Sequence, residues 1–314
     1  MRGAAHERAP MSHAHRGTIF LEQARVISQL AYDGEQFVLR VAAPKCAAHA
    51  GPGSFAHLTC DAAIPMRRPL SIMRADARAG WIEMLYKVEG RGLHALAARK
   101  AGDTVSVLGP IGRPFEPHPE RPRTLLIGGG VGIPPMVVLA ERLHQATGVA
   151  GAAAAWKPLV LMGSEIPFPF RPRPSTLIVP GIPDGTIAAM PLLDEWGVPS
   201  RLASNAGFAG CYGGHVSELA ARWLAQLAPA ELAEVAVYAC GPEPMLAATA
   251  RLARSLALPC QLALEEFMAC AVGGCAGCAV EIRSGQGRTM QRVCVDGPVF
   301  DAQAVYPQDP PAGI

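Results

Sequence analysis

The chain has 314 residues, half of them apolar, and a formal net charge of +2. That length is too great for one ordinary core and suits two compact domains with a small appendage. Basic residues are scattered, with no run and no interleaved aromatics, so composition gives no case for nucleic acid. The best apolar stretch, around 124–140, contains Gly128, Gly129, Gly130, Gly132, Pro134 and Pro135, which excludes it as a membrane span.

Residues 1–16 are polar, with Arg2, His6, Arg8, His13, His15 and Arg16, and predict a disordered arm rather than a signal peptide. Next, Gly17–Leu30, Gln36–Val41, Trp81–Val88 and Thr104–Leu108 alternate apolar and polar residues. They predict the strands of a small barrel or sandwich. A short helix is expected at Gly92–Ala98, where Leu93 and Leu96 recur on one face. From Arg123 the period changes. Strands are predicted at Thr124–Ile127, Leu159–Met162, Thr176–Val179 and Glu234–Ala239. Helices are predicted at Pro135–Gln145, Val216–Leu227 and Pro244–Leu256. Strand and helix alternating at this spacing mean a parallel α/β sheet. The last stretch, 260–314, is rich in Cys and Gly and ends in Pro-rich coil.

The chain reads as cytoplasmic, and nine cysteines in that setting favour metal or redox chemistry over disulfides. Cys270, Cys275, Cys278 and Cys294 form C-x4-C-x2-C-x15-C, whose first three members match a plant-type [2Fe–2S] spacing. One loop must wrap two irons while its backbone donates N–H groups to sulfur. Ala271, Gly273, Gly274, Ala276 and Gly277 are small enough to permit that approach. The fourth thiolate is expected after a hairpin, Ala279–Ile282 to Thr289–Val293. Zinc also accepts C-x2-C, but usually with a second such pair or with His, and no His follows position 215.

Two glycine turns point to a nucleotide. Gly128, Gly130 and Gly132 lie between a strand and a helix, where glycine lets the backbone approach a pyrophosphate at a helix N-terminus. The strict G-x-G-x-x-G is absent; G-x-G-x-x-P stands in its place, and a tight turn with no ligand is the alternative. Cys240, Gly241 and Pro242 also follow a strand and open a helix. Gly163-Ser164-Glu165 is positioned to meet an adenosine ribose, and the scarcity of arginines there favours NAD over NADP. In the barrel, Arg67-Arg68-Pro69-Leu70-Ser71-Ile72 sits between predicted strands. An arginine fork there suits a phosphate, although a basic surface turn has the same local chemistry.

The order of these motifs resembles the ferredoxin–NADP reductase superfamily and, within it, the electron-transfer subunits of NAD-dependent dihydroorotate dehydrogenases. It runs R-P-L-S-I, L-Y-K-V-E-G-R-G, G-P-I-G-x-x-F, G-G-G-V-G-I-P-P, Y-A-C-G-P-E-P-M, then four cysteines ending in C-V-D-G-P-V-F. The resemblance covers about residues 17–302. It implies an FAD-binding antiparallel β-barrel over 17–117, an NAD-binding α/β domain over 118–258, and a [2Fe–2S] subdomain with tail over 259–314. It further implies that Arg68, Pro69, Leu70, Ser71, Leu85, Tyr86, Lys87, Gly92 and Leu93 contact FAD and that the four cysteines ligate the cluster. The implied activity serves pyrimidine biosynthesis. A partner flavoprotein oxidises dihydroorotate on FMN, and electrons pass through [2Fe–2S] and FAD to NAD+. No acid–base residue is required of this chain. Two departures stand out: Leu93 replaces the family's usual Thr, and residues 203–214 replace the usual T-x-D-G-S-x-G. The second departure keeps two other readings open. One is a related hydrogenase- or ferredoxin-type reductase subunit, the other a non-catalytic redox-sensing interaction protein.

Overall fold

The computed structural model describes residues 17–147, 155–284 and 287–307. The expected arm at 1–16, most of the Ala-rich loop and the tail beyond 307 lie outside the described residues. Six strands close a barrel: β1 (Phe20–Tyr32), β2 (Gln36–Ala42), β3 (Phe55–Thr59), β4 (Arg68–Asp76), β5 (Trp81–Lys87) and β6 (Thr104–Ile111). Their order is β1-β2-β5-β4-β3-β6, and every pairing is antiparallel. Helix α1 (Pro44–His49) packs Cys46 and Ala47 onto the barrel core, and α2 (Gly90–Ala97) follows β5.

Period-two alternation makes two cores from one set of strands. Leu39, Ile72, Met84 and Tyr86 point into the barrel. Val38, Met73 and Leu85 point outward and pack with Leu126, Ile133 and Met136 of the next domain. Arg68–Ile72 of the R-R-P-L-S-I motif lie within β4, not between strands as expected, and Arg67 immediately precedes it. Pro69 is tolerated because β4 pairs there with β3 alone; β5 joins it only from Ile72 onward.

The second domain is a six-stranded sheet of order β11-β8-β7-β12-β13-β16. It comprises β7 (Arg123–Gly129), β8 (Leu159–Gly163), β11 (Ser200–Ala203), β12 (Val235–Cys240), β13 (Cys260–Ala263) and the antiparallel edge strand β16 (Val299–Asp301). A small pair, β9 (Arg173–Pro174) and β10 (Ala188–Ala189), sits apart. A single 3-10 turn at Gly130–Gly132 leads into α3 (Ile133–Thr147), whose prolines occupy the first turn, where no N–H is needed. Beyond the short α4 (Pro191–Glu195), α5 (Val216–Leu224), α6 (Pro229–Leu232) and α7 (Glu243–Ser255) complete the domain, and α5 and α7 cover the other face of the sheet.

The strand expected at Thr176–Val179 is not formed. The Ser175 and Thr176 hydroxyls both donate to the Asp194 carboxylate, and Ile178 is 91% exposed. Strand β11 takes the third parallel position instead. It escaped notice because Arg201 interrupts its apolar run, yet that guanidinium is buried and donates to the Ser200 and Leu177 carbonyls. The hairpin of β14 (Ala279–Ser284) and β15 (Gly287–Arg292) forms as anticipated, and α8 (Ala302–Val305) follows β16. Among the described residues, no helix is long and apolar enough to cross a membrane.

Candidate redox-cofactor sites

The four cysteines come together where the last segment packs on the barrel. Cys278 and Cys294 are buried, and the Val293 N–H donates to the Cys278 carbonyl at 3.0 Å across the base of the hairpin. Cys270 is half-buried and Cys275 exposed. Ala271, Gly273 and Ala276 adopt left-handed φ values of 56°, 82° and 54°, which coil the loop around its thiols. The Gly277 N–H donates to Cys275 Sγ at 3.4 Å. Arg292 pins the loop from behind, donating to the Gly273 carbonyl at 2.9 Å.

The thiols fall into two pairs, Cys270 with Cys275 and Cys278 with Cys294. Burial raises the Cys270 pKa, but N–H groups of Val272, Cys275 and Gly274 outweigh it and bring the thiol down to about 7. Burial, then the neighbouring Cys278 and Cys270 thiols, push Cys294 up to about 12. Among the described residues, no three His, Cys, Asp or Glu side chains converge on a single ion position. Four thiols arriving as two pairs fit a two-iron cluster, which takes two thiolates on each iron.

A candidate phosphate cradle lies on the barrel. A Cβ on Gly92 would meet Arg68 Nε at 2.9 Å and Cζ at 3.0 Å, so the guanidinium rests on the first turn of α2. Arg68 Nη1 donates to the Met66 and Arg67 carbonyls, which holds the fork there. No side chain caps α2, so its first N–H groups take no side-chain partner. An arginine beside uncapped helix amides fits a pyrophosphate.

Strand facing separates the other barrel residues that the sequence singled out. Leu85 faces outward, Pro69 and Ser71 are half-buried, and Lys87 is exposed. Leu70 and Tyr86 point into the barrel, so their side chains do not face a cofactor outside it; only their backbones are available there. The Tyr86 hydroxyl donates to Gln29 Oε1 at 3.0 Å, and Gln29 Nε2 donates to the carbonyls of Leu96, Ala97 and Arg99. Tyr86 thus anchors the C-terminal end of α2. Leu93 packs on the barrel core. Gln29 was not anticipated, because nothing local in the sequence ties it to α2.

The two glycine turns meet at the carboxyl end of the sheet, where Gly128 pairs with Cys240. A Cβ on Gly132 would collide with the Cys240 and Gly241 backbone, and one on Gly128 would meet Ile133 Cα at 3.0 Å. These two glycines serve packing. Gly130, with φ 54°, faces open space and is the position free for a ligand's approach. Pro242 precedes α7 as its N-cap. Cys240 is buried, and its Sγ donates to Glu265 Oε1 at 3.8 Å. Burial, then the Glu265 charge, drives this thiol well above its ordinary pKa. The departed segment folds back on β11: Tyr212 N–H donates to the Leu202 carbonyl, and Asn205 Nδ2 donates to Glu165 Oε1 at 3.3 Å.

Residues 265–306 match the family model described as the iron-sulfur cluster binding domain of dihydroorotate dehydrogenase B. The chain is 34% identical over 260 residues to a Bacillus caldolyticus protein, the match spanning 81% of this chain and 86% of the relative. That relative is named dihydroorotate dehydrogenase B (NAD(+)), electron transfer subunit. The chain belongs to this family. A relative of the same name from Geobacillus thermodenitrificans is 32% identical, with 90% of this chain and 98% of the relative covered. Membership thus extends over both domains and the cysteine segment. The fold is likewise that of a solved NADH-dependent reduced ferredoxin–NADP oxidoreductase chain. The TM-score is 0.70 at 24% identity, and 90% of each chain is covered.

Proposed function

We propose that this chain carries electrons from a partner flavoprotein that oxidises dihydroorotate to orotate and delivers them to NAD+, with [2Fe–2S] and FAD bound. The observation that carries the reading is the packing of Cys278 and Cys294. Cys278 and Cys294 lie with Ala271 against Phe55 of β3, and Phe55 pairs directly with Ser71 of β4. A cluster held by these thiols would stand beside the strand that bears the FAD motif.

When bound, the cluster supplies one-electron transfer and the flavin the exchange between single electrons and a hydride. Everything else falls to the chain's own residues. Cys270, Cys275, Cys278 and Cys294 hold iron, and loop amides such as Gly277 N–H stabilise charge on sulfur. Arg68 and the first turn of α2, through Gly92 and Leu93, take the FAD pyrophosphate. Pro69, Ser71 and Lys87, with the backbones of Leu70, Leu85 and Tyr86, line the ring system. Gly130, with Cys240, Gly241 and Pro242, receives the nicotinamide nucleotide. The division into 17–117, 118–258 and 259–314 and a cytoplasmic location belong to the same proposal.

Iron, sulfide and flavin analysis of protein purified without air tests it, with about two iron, two sulfide and one FAD per chain expected. NADH should bleach the flavin. Orotate formation linked to NAD+ should require both this chain and its dihydroorotate-oxidising partner. Bound zinc without sulfide would overturn the cluster, and a flavin that NADH never bleaches would overturn the catalytic reading. The rebuilt 203–214 segment favours one second reading, a related NAD(P)H:ferredoxin- or hydrogenase-type reductase subunit. Co-purification with a different redox partner would select it.

A further inference from the structure

Strand β4 carries a bulge between Ile72 and Arg74, where its register with β5 shifts. Ile72 and Ala75 both pack on the barrel core, so the bulge turns two successive residues, Met73 and Arg74, away from it. Met73 joins the apolar core that includes Ile133 and Met136 of α3. Arg74 reaches across the same boundary. Its Nη2 donates to Glu141 Oε1 of α3 at 3.1 Å. Its guanidinium lies 5.6 Å from the Trp81 ring of β5 and 5.2 Å from the ring of Trp196, which follows α4. One indole belongs to the barrel and the other to the second domain, so the two domains share one cation. Trp81 is itself held, because Arg40 lies 4.1 Å from its ring centre and pairs with Glu83 at 2.6 Å. Beside Glu141, Arg142 donates to the Ala50 carbonyl of the barrel domain at 3.2 Å.

The domains already share an apolar core, so adhesion does not require this pair. Arg74 and Glu141 are largely buried, and Arg74 Nε is buried without a hydrogen-bond partner. Desolvation therefore offsets much of the attraction, and the pair adds little net stability. What it adds is direction, because a planar fork bonded to one carboxylate accepts fewer arrangements than apolar contact does. Direction matters here, since Arg68–Ser71 open β4 and Gly130 leads into α3. We propose that Arg74, through Glu141 and the two indoles, is a positioning residue that fixes β4 against α3 and so sets the approach of the nicotinamide ring to the flavin. The proposal rests on reading Arg68–Ser71 as FAD contacts and Gly130 as a nicotinamide-nucleotide contact. Hydride transfer needs its reacting atoms within about 3.5 Å, and a misplacement of about 1 Å costs up to about a hundredfold in rate.

The test compares the wild-type chain with Arg74→Met, which keeps a long apolar stem without the fork, with Glu141→Gln, and with the double variant. Residual dipolar couplings of cofactor-free protein read the domain arrangement independently of activity. One alignment tensor should describe barrel and sheet together in the wild type. Each single variant should need two different tensors. In FAD-loaded protein, flavin bleaching by saturating NADH should slow roughly tenfold in each single variant, with FAD content and half-saturating NADH within about twofold of wild type. The double variant should be no slower than Arg74→Met, because both changes remove one interaction. A single shared tensor in Arg74→Met would overturn the tie. Bleaching at the wild-type rate despite separate tensors would overturn the positioning role. So would a loss confined to FAD content or to half-saturation, which would mark a packing or binding role. A wild-type flavin that NADH never bleaches would sink the functional reading and the positioning role with it, while the couplings still decide the tie between the domains. Should Arg74→Met fail to fold, Glu141→Gln, which keeps its size, is judged by the same measures.

Discussion

Replacing Gly92 with Ala separates the cradle for FAD from the stability of the fold. The added methyl would meet Arg68 Nε at 2.9 Å, Cζ at 3.0 Å and Nη2 at 3.1 Å. The obstructing atoms are the far end of a flexible side chain, so the guanidinium swings away and the barrel stays intact. Helix α2 gains rather than loses, because Ala exceeds Gly in helix propensity by up to about 1 kcal/mol. What is lost is one charge-assisted contact to phosphate, worth about 2 kcal/mol. The expected result is apoprotein stability equal to or slightly above wild type, with an FAD dissociation constant raised about thirtyfold. Denaturant unfolding of the apoprotein gives the first quantity, and titration of flavin fluorescence gives the second. FAD affinity within about twofold of wild type would refute the placement of the phosphate between Arg68 and α2. Apoprotein stability lower by more than about 1 kcal/mol would refute the claim that the guanidinium simply moves aside.

Other perturbations address the remaining parts. Cys278→Ser should abolish the cluster while FAD stays bound; unchanged iron content would mean the ligand set is wrong. Tyr86→Phe removes the hydroxyl that holds Gln29 against the end of α2, and should cost about 1 kcal/mol of stability and weaken FAD retention severalfold. Unfolding and flavin titration together check it, and unaltered values would make Tyr86 mere barrel filling. His57 gives a pH signature. Its pKa falls from 6.5 to about 4 on folding, with burial the largest cause. The unfolded chain therefore binds more protons across that window. Stability from this group is complete above pH 6.5 and declines as pH drops to about 4, by about 3 kcal/mol in all. His57→Gln should flatten that part of the pH–stability curve, and identical slopes in both proteins would contradict the burial of a neutral ring.

What the sequence disclosed depended on how local each feature was. The cysteine ligand spacing was legible because three thiols and the small residues between them lie in one loop, and the hairpin to the fourth follows at once. Alternation likewise revealed β1, β2, β5 and β6, since a barrel strand with one face inside carries its own pattern. Motifs were less informative, because they name residues without saying which way they face. R-P-L-S and L-Y-K gave Leu70 and Tyr86 the same standing as Ser71 and Leu85, and only strand register turned the first two inward. The glycine turn behaved similarly. Three glycines looked equivalent, but Gly128 and Gly132 are small for backbone contact within the protein, which leaves Gly130 alone facing open space. Strand β11 was hidden by Arg201, whose buried guanidinium donates through Nη1 and Nη2 to carbonyls that no local pattern could foretell. His57 is the extreme case. Phe-Ala-His-Leu-Thr is a short strand with an unremarkable histidine until the fold buries its ring with both nitrogens unpaired. That burial is a tertiary property, which is why such a residue must be sought among buried groups lacking partners rather than among motifs.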